Sequence, residues 1–288
     1  MAQGGWQALK RRIKSVQNTR QITRAMKMVA GAKLRKAETQ AKQAREYFDA
    51  MLAITRRAVE LGPSDHPLLA EREVRRAGFL VVTADRGLAG PYNTNVLREA
   101  MRAMAQTGLD REHLKVFAVG RKGRDFLAYR GFRVVEEAVD LGDDPTFHQA
   151  RLVVEPVFRY FLDEEIDAVY LVYTRYINAM SYRPTTLRLL PVPREELEQG
   201  RQLVGYEFEP SSTDVYDVLI PRYIQTMMYG ALLEAKASEH GSRMVAMDSA
   251  SKNADELIRR LILIRNRMRQ AAITKEIAEL VGAADALR

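Results

Sequence analysis

The stretch AGAKLRKAETQAKQAREYFDAM, residues 30–51, decides the fold. Ala30, Leu34, Ala37, Ala41, Ala44, Phe48 and Met51 recur at alternating steps of four and three, a heptad seam that holds one apolar face toward a partner helix. Outward from it, no proline interrupts Gln7 to Leu61 and the only glycine there is Gly31. The spacing therefore predicts one long helix. About 55 residues at a rise of about 1.5 Å each make a rod of about 80 Å, too long for one globule to cover.

The second rod that this seam requires lies at the other end of the chain. Between Ser212 and Ala284, Met247, Ala250, Ala254, Leu257, Leu261, Ile264, Met268 and Ala271 follow the same rhythm, and Tyr223, Met227 and Met228 extend it upstream. Ser212 is the expected N-cap. Pro221 is expected to kink this helix or to mark the start of its long part. Gly241 costs roughly 0.8–1 kcal/mol relative to alanine and is expected to mark a close helix contact.

Between the rods, strand and helix signals alternate. Gly78–Thr83, Lys115–Val119, Phe132–Val135 and Ala168–Tyr173 are short apolar, β-branched or aromatic runs of strand length. Helical segments fit at Thr94–Ala105, Arg121–Tyr129 and Thr146–Leu162, the last with Asp144 as N-cap and Pro145 at the first helical position. Thr185–Leu190, bracketed by Pro184 and Pro191, reads as an edge strand. The expected fold class is α/β: an antiparallel coiled coil of long N- and C-terminal helices plus a Rossmann-like domain with a mostly parallel sheet. The expected boundaries are 1–62 for the N-terminal helix, 75–208 for the α/β domain and 209–288 for the C-terminal helix.

Composition narrows the function. The 288 residues contain no cysteine, which removes disulfides, thiolate catalysis and zinc–thiolate sites and makes an intracellular protein the economical reading. The opening MAQGGWQALKRRIKSV lacks the apolar core of a secretory signal, and no run approaches a membrane span. Net charge is +8, yet Met1–Ala37 alone holds ten bases and no acid, so the remainder is slightly acidic. Such asymmetry points to an acidic partner for the N-terminal helix.

Chemistry-bearing motifs are sparse. TADRGLAGPYN (Thr83–Asn93) places a glycine turn between strand and helix, where dinucleotide folds bind pyrophosphate, and VGRKGRDF (Val119–Phe126) adds bases beside a second turn. Neither makes G-x-G-x-x-G, and no G-x-x-x-x-G-K-[ST] occurs; structural turns or protein-contact loops are the better reading. His66, His113, His148 and His240 stand singly without metal-ligand spacing. Asp85 and Arg86 read as a structural pair at a turn. Met26 and Met28, flanking Lys27, fit either a core or a contact surface. No catalytic residue, metal or cofactor is expected.

Three stretches carry a resemblance. Ile13–Glu38, Thr83–Asn93, and ALLEAKASEHGSRMVAMDSASKNADELI with RQAAITKEIAELV near the C-terminus are similar to gamma subunits of bacterial F-type ATP synthases, in the same order and across nearly the whole chain. The resemblance implies a non-catalytic central rotor shaft that turns inside a ring of alpha and beta subunits. The base of such a shaft lies against the epsilon subunit and the c-ring, peripherally on the cytoplasmic side of the bacterial cell membrane. By motif, Met26 and Lys27 resemble shaft positions near an acidic lever loop of the beta subunits, and Arg243, Arg269 and Gln270 resemble C-terminal-helix positions that touch them. Gly241 stands where relatives commonly carry alanine, and the cysteine-bearing insert of chloroplast relatives is absent. The alternatives are a basic coiled-coil nucleic-acid-binding protein and a nucleotide-dependent α/β enzyme. The basic run lacks interleaved aromatics, Trp6 being the only one before Tyr47, and the chain lacks a phosphate loop.

Overall fold

The structure is a computed structural model that describes residues 2–61, 66–179, 181–193, 209 and 211–286. Its elements are α1 (Ala2–Leu61), β1 (Ala77–Val82), α2 (Tyr92–Gln106), β2 (Leu114–Val119), α3 (Arg121–Tyr129), β3 (Arg133–Ala138), α4 (Phe147–Leu162), β4 (Ala168–Asn178), β5 (Ser181–Leu190) and α5 (Ser212–Ala286). The chain forms two compact units, Ala30–Arg243 and Met1–Val29 with Met244–Arg288.

The larger unit is Rossmann-like. Its sheet has the order β3-β2-β1-β4-β5, with β3, β2, β1 and β4 parallel and β5 antiparallel at one edge. β1 and β2 are buried throughout, as parallel strands covered on both faces must be. Alternation divides them between two cores. Phe79 and Val81 join Val96, Ala100 and Leu127 beneath α2 and α3, whereas Leu80 and Val82 join Val154, Val157 and Phe161 of α4 with Tyr223 and Met228 of α5. Each large apolar side chain so buried contributes about 1.5–3 kcal/mol. Within this unit α1 and α5 run antiparallel: Phe48 stacks on Tyr223 at 6.5 Å, and Tyr216 Oη donates to the Ala58 carbonyl at 2.5 Å.

Several local expectations are corrected. α4 begins one residue after Thr146, whose Oγ1 accepts from Gln149 N while Gln149 Oε1 accepts from Thr146 N. This reciprocal box outcompetes the proposed Asp144 cap, and Asp144 instead pairs with Lys36. Ser211, not Ser212, caps α5, its Oγ accepting from Asp214 N at 3.2 Å. α5 continues through Pro221. β4 runs on to Asn178 because its polar end pairs with β5, and Pro184 lies inside that edge strand, opposite Thr174, rather than before it. Gly241 does mark a close approach, but to a turn: a Cβ there would stand 3.1 Å from the Ala179 carbonyl oxygen at the β4–β5 connection.

The smaller unit is an antiparallel helix pair. Arg20 and Arg24 bond Asp255 while Lys27 bonds Asp248, so positions fall on one helix as they rise on the other. Ile13 and Thr23 of α1 are buried, as are Met247, Ser251, Ala254, Ile258 and Leu261 of α5. Met247, Ala254 and Leu261 match the expected seam, but the intervening positions are Ser251 and Ile258. Leu257, Ile264 and Met268 are consequently exposed. Periodicity could not separate Ala250 from Ser251 or Leu257 from Ile258, since both members of each pair are small or both are apolar.

Candidate functional site

The first candidate is the crevice at the C-terminal ends of β1 and β2, where a phosphate would seat in a dinucleotide fold. It is already filled by the chain itself. Asp85 accepts from Arg121 N at the start of α3 (3.1 Å) and from Asp140 N (3.2 Å); its carboxylate takes the place of the anion that a helix N-terminus attracts. Thr83 Oγ1 accepts from Gly123 N at 2.8 Å and donates to the Val119 carbonyl. Asn93 Oδ1 accepts from Ala84 N at 2.9 Å.

Both glycines of the second turn are explained by this packing. Gly120 has φ +89°, and a Cβ there would lie 2.3 Å from the Thr83 carbonyl oxygen; one at Gly123 would lie 2.8 Å from the Thr83 side chain. Two of the three bases nearby are engaged as well, Arg121 with Asp140 and Arg124 with Asp125 and Glu137. The cavity that remains is about 10 Å³, the space of a single water. The chain's own groups thus pack the Thr83 and Gly120–Gly123 turns.

A second cluster ties both helices to the sheet domain. Lys33 and Lys36 of α1 bond Asp143 and Asp144, each at 2.6 Å, on the loop before α4. Asp143 Oδ1 also lies 3.4 Å from Nε2 of the buried His240 on α5. Next to it, Arg243 donates to Glu239 at 2.7 Å, to the Gly87 carbonyl at 3.3 Å and to His240 Nδ1, while Lys236 reaches the other Glu239 oxygen. Ser242 Oγ donates to the Ala89 carbonyl at 2.6 Å.

The electrostatics follow from burial opposed by counter-charge. Burial pushes the Glu239 carboxyl up, but Lys236 and Arg243 outweigh it and hold the group below its ordinary range. Burial lowers His240, against the pull of Glu239 and Asp143. The ring is therefore neutral at pH 7, with Nδ1 accepting from Arg243 and Nε2 making no hydrogen bond among the described residues. Residue reading alone missed this arrangement. The Lys236-Glu239-Arg243 spacing of three and four was a readable signal; the remote Asp143 was not.

The contact residues implied by resemblance lie as follows. Met26 is half-buried and Lys27 exposed in the helix pair, where Lys27 bonds Asp248 at 2.6 Å. Asp248 also takes Lys252, and the two lysines, Lys252 first, bring its carboxyl down to about 2. Arg269 and Gln270 are exposed on α5. Arg243 belongs to the sheet unit and is mostly covered.

Five of the ten N-terminal bases, Arg20, Arg24, Lys27, Lys33 and Lys36, thus meet acids from elsewhere in the chain. The run that reads as uncompensated is half neutralised internally. Among the described residues there is no acid–histidine cluster able to hold a metal, and no helix long and apolar enough to cross a membrane.

Comparison with known proteins agrees across the chain. Residues 5–287 match the ATP synthase family model. The ATP synthase gamma chain of Moorella thermoacetica is 48% identical, covering 97% of this chain and 98% of that one; that of Symbiobacterium thermophilum is 44% identical over 98% of each. A chain of the Tetrahymena thermophila mitochondrial ATP synthase central stalk and c-ring structure superposes with a TM-score of 0.62 at 26% identity, covering 80% of this chain and 99% of that one. A chain from the Euglena gracilis mitochondrial ATP synthase has the same fold, with a TM-score of 0.70 at 20% identity over 99% and 95%. Nothing in these likenesses supports the nucleic-acid-binding alternative. The chain belongs to the ATP synthase gamma-chain family, the central-stalk component of a rotary ATPase.

Proposed function

We propose that the chain is a non-catalytic rotor shaft. It turns inside a hexamer of alpha and beta subunits, with the epsilon subunit and c-ring at its base, and couples ion flow to ATP synthesis or hydrolysis. The observation that carries this is identity of 44–48% to bacterial gamma chains over essentially their full length. Three structural features support it. Asp85 fills the anion seat of the α/β domain, in keeping with a chain that leaves nucleotide chemistry to its partners. The helix pair leaves Ile22, Met28, Val29, Leu263 and Ile264 facing outward, which asks for an external sleeve. Its paired charges are internal, which leaves Lys10, Arg11, Arg12 and Lys14 exposed for contacts worth about 0–1 kcal/mol each, weak enough to break at every step.

In this reading residues 1–62 and 209–288 are the shaft helices and 75–208 the base domain. Met26, Lys27, Arg243, Arg269 and Gln270 form the rotor–stator contact. The complex sits peripherally on the cytoplasmic face of the cell membrane and is attached only through its partners. Torque can be converted only if the shaft binds alternative conformations of the beta subunits with different free energies. Affinity purification of the tagged chain from its host tests the class. A stoichiometric complex with two ATP-binding chains of similar size is expected, and recovery of the chain with nucleic acid or alone would overturn the reading.

A further inference from the structure

A hollow of about 560 Å³ lies inside the sheet unit, walled by α1, β4, β5 and α5. Small-molecule sites occupy about 300–1,000 Å³. Residue choice creates the space: the α1 seam narrows to Ala41 and Ala44, and α5 presents Gly230. A glycine inside a helix is roughly 0.8–1 kcal/mol worse than alanine, yet a Cβ at Gly230 would meet nothing within 4 Å. No close packing accounts for that glycine; it borders open volume.

The walls carry charges of both signs that do not pair with each other. Glu38, Arg45, Arg175 and Glu234 all line the hollow, and none makes an ion pair within 4 Å among the described residues. The two acids, from different helices, converge on one strand residue: Tyr176 donates its Oη to Glu38 and its N–H to Glu234 at 3.3 Å. Burial raises the Glu234 carboxyl, with Arg175 and Arg45 opposing from a distance. Tyr173 beside it is pushed up to about 12 by burial and by the charge of Glu234. Phe48 and Met227 supply apolar wall. Glu38 and Glu234 are half-buried while Arg45 and Arg175 are exposed; a half-buried carboxylate with no counter-ion is costly, and a ligand bearing both signs meets both sets at once.

We propose that this hollow binds a small zwitterion with an aromatic or branched apolar body, its ammonium on Glu38 and Glu234 and its anionic group on Arg45 and Arg175. Such an occupant touches α1, β4 and α5 together and stiffens that part of the unit.

The test titrates N-(3-phenylpropyl)glycine, with 3-phenylpropylamine and 4-phenylbutyrate as single-charge controls, against the full chain and against its purified complex, by ligand-observed NMR and calorimetry. The zwitterion is expected to bind at about 1 mM or tighter, about tenfold better than either control. Gly230→Leu, which fills the hollow, should abolish binding. Glu234→Gln should weaken the zwitterion and the amine about tenfold and leave the carboxylate probe unchanged. Should Gly230→Leu fail to fold, Glu234→Gln and Arg45→Gln decide alone. Absence of binding in both preparations, equal affinity for all three probes, or binding untouched by these substitutions would overturn the proposal.

Discussion

Replacing Asp85 by alanine should loosen the start of α3 and convert it into an anion site. The carboxylate accepts two backbone N–H groups, at 3.1 and 3.2 Å, from residues far apart in sequence. It acts as a remote cap, and loss of a cap costs about 0.5–2 kcal/mol. Removing a negative charge from a helix N-terminus adds about 0.3–1 kcal/mol. Because Asp85 is only half-buried, water recovers part of both terms, so the expected loss is about 1–2 kcal/mol. For a unit of this size that lowers the unfolding midpoint by about 2–8 °C.

Asp85→Asn keeps an acceptor and should lose less than half as much. Phosphate then distinguishes the explanations. If the freed N–H groups bind it with a dissociation constant of about 5 mM, 50 mM phosphate restores about 1.4 kcal/mol, whereas the parent chain, with its seat filled, gains only the general salt effect. Thermal unfolding in phosphate and in chloride at equal ionic strength measures both. An identical phosphate response in parent and Asp85→Ala would refute the claim that Asp85 fills an anion seat.

Gly120→Ala should be far more damaging, since it forces a Cβ into the Thr83 carbonyl at positive φ; a loss of several kcal/mol is expected in chemical denaturation, and a change under about 0.5 kcal/mol would disprove the packing. His240, lowered by burial, binds a proton less readily folded than unfolded, so its contribution is complete above pH 6.5 and is lost as pH falls below that value toward its folded pKa. Unfolding free energy measured from pH 7.5 to 5 should fall more steeply for the parent than for His240→Gln, and equal slopes would count against a buried neutral ring. Lys27→Ala should leave stability within about 0.5 kcal/mol, because Lys252 still holds Asp248. Any fall in the ratio of ATP-driven proton pumping to hydrolysis in that variant then reports a stator contact, and an unchanged ratio removes Lys27 from the contact set.

The parts of the fold that were legible in sequence are those with redundant local signals. Gly78–Thr83 and Lys115–Val119 are apolar at every position or nearly so, and they became fully buried parallel strands. Arg121–Tyr129 was bounded by turn glycine and by loss of periodicity, and its limits agree. The errors came where two residues competed for one role: Asp144 against Thr146 for a cap, Ser212 against Ser211, Leu257 against Ile258 for the seam. The two caps were decided by side chains three residues on, Gln149 and Asp214, and the seam by packing against the other helix. The end of β4 was illegible because Thr174–Asn178 owes its strand form to pairing with β5 rather than to its own propensity. Of the site, periodicity located the helices, but Met26, Lys27, Arg243, Arg269 and Gln270 came only from resemblance, since no local pattern sets them apart from their neighbours.

The basic N-terminal run shows what a sequence count conceals. Read linearly, ten bases without an acid demand an external counter-charge. Folded, the run divides. Lys33 and Lys36 anchor α1 to the Asp143–Asp144 loop inside the sheet unit, and Arg20, Arg24 and Lys27 hold the helix pair together through Asp255 and Asp248. Lys10, Arg11, Arg12, Lys14 and Arg35 are exposed and make no ion pair among the described residues. Four of these five lie within five consecutive positions of one helix, where like charges repel by a few tenths of a kcal/mol per pair. Lys10, Arg11, Arg12 and Lys14 gain nothing from an ion pair among the described residues, so on the rotor-shaft reading proposed above their counter-charge lies outside the chain. On that same proposed reading they would guide by a field rather than a fixed bond, because a charge held at long range is felt across a rotational step without having to be broken by it.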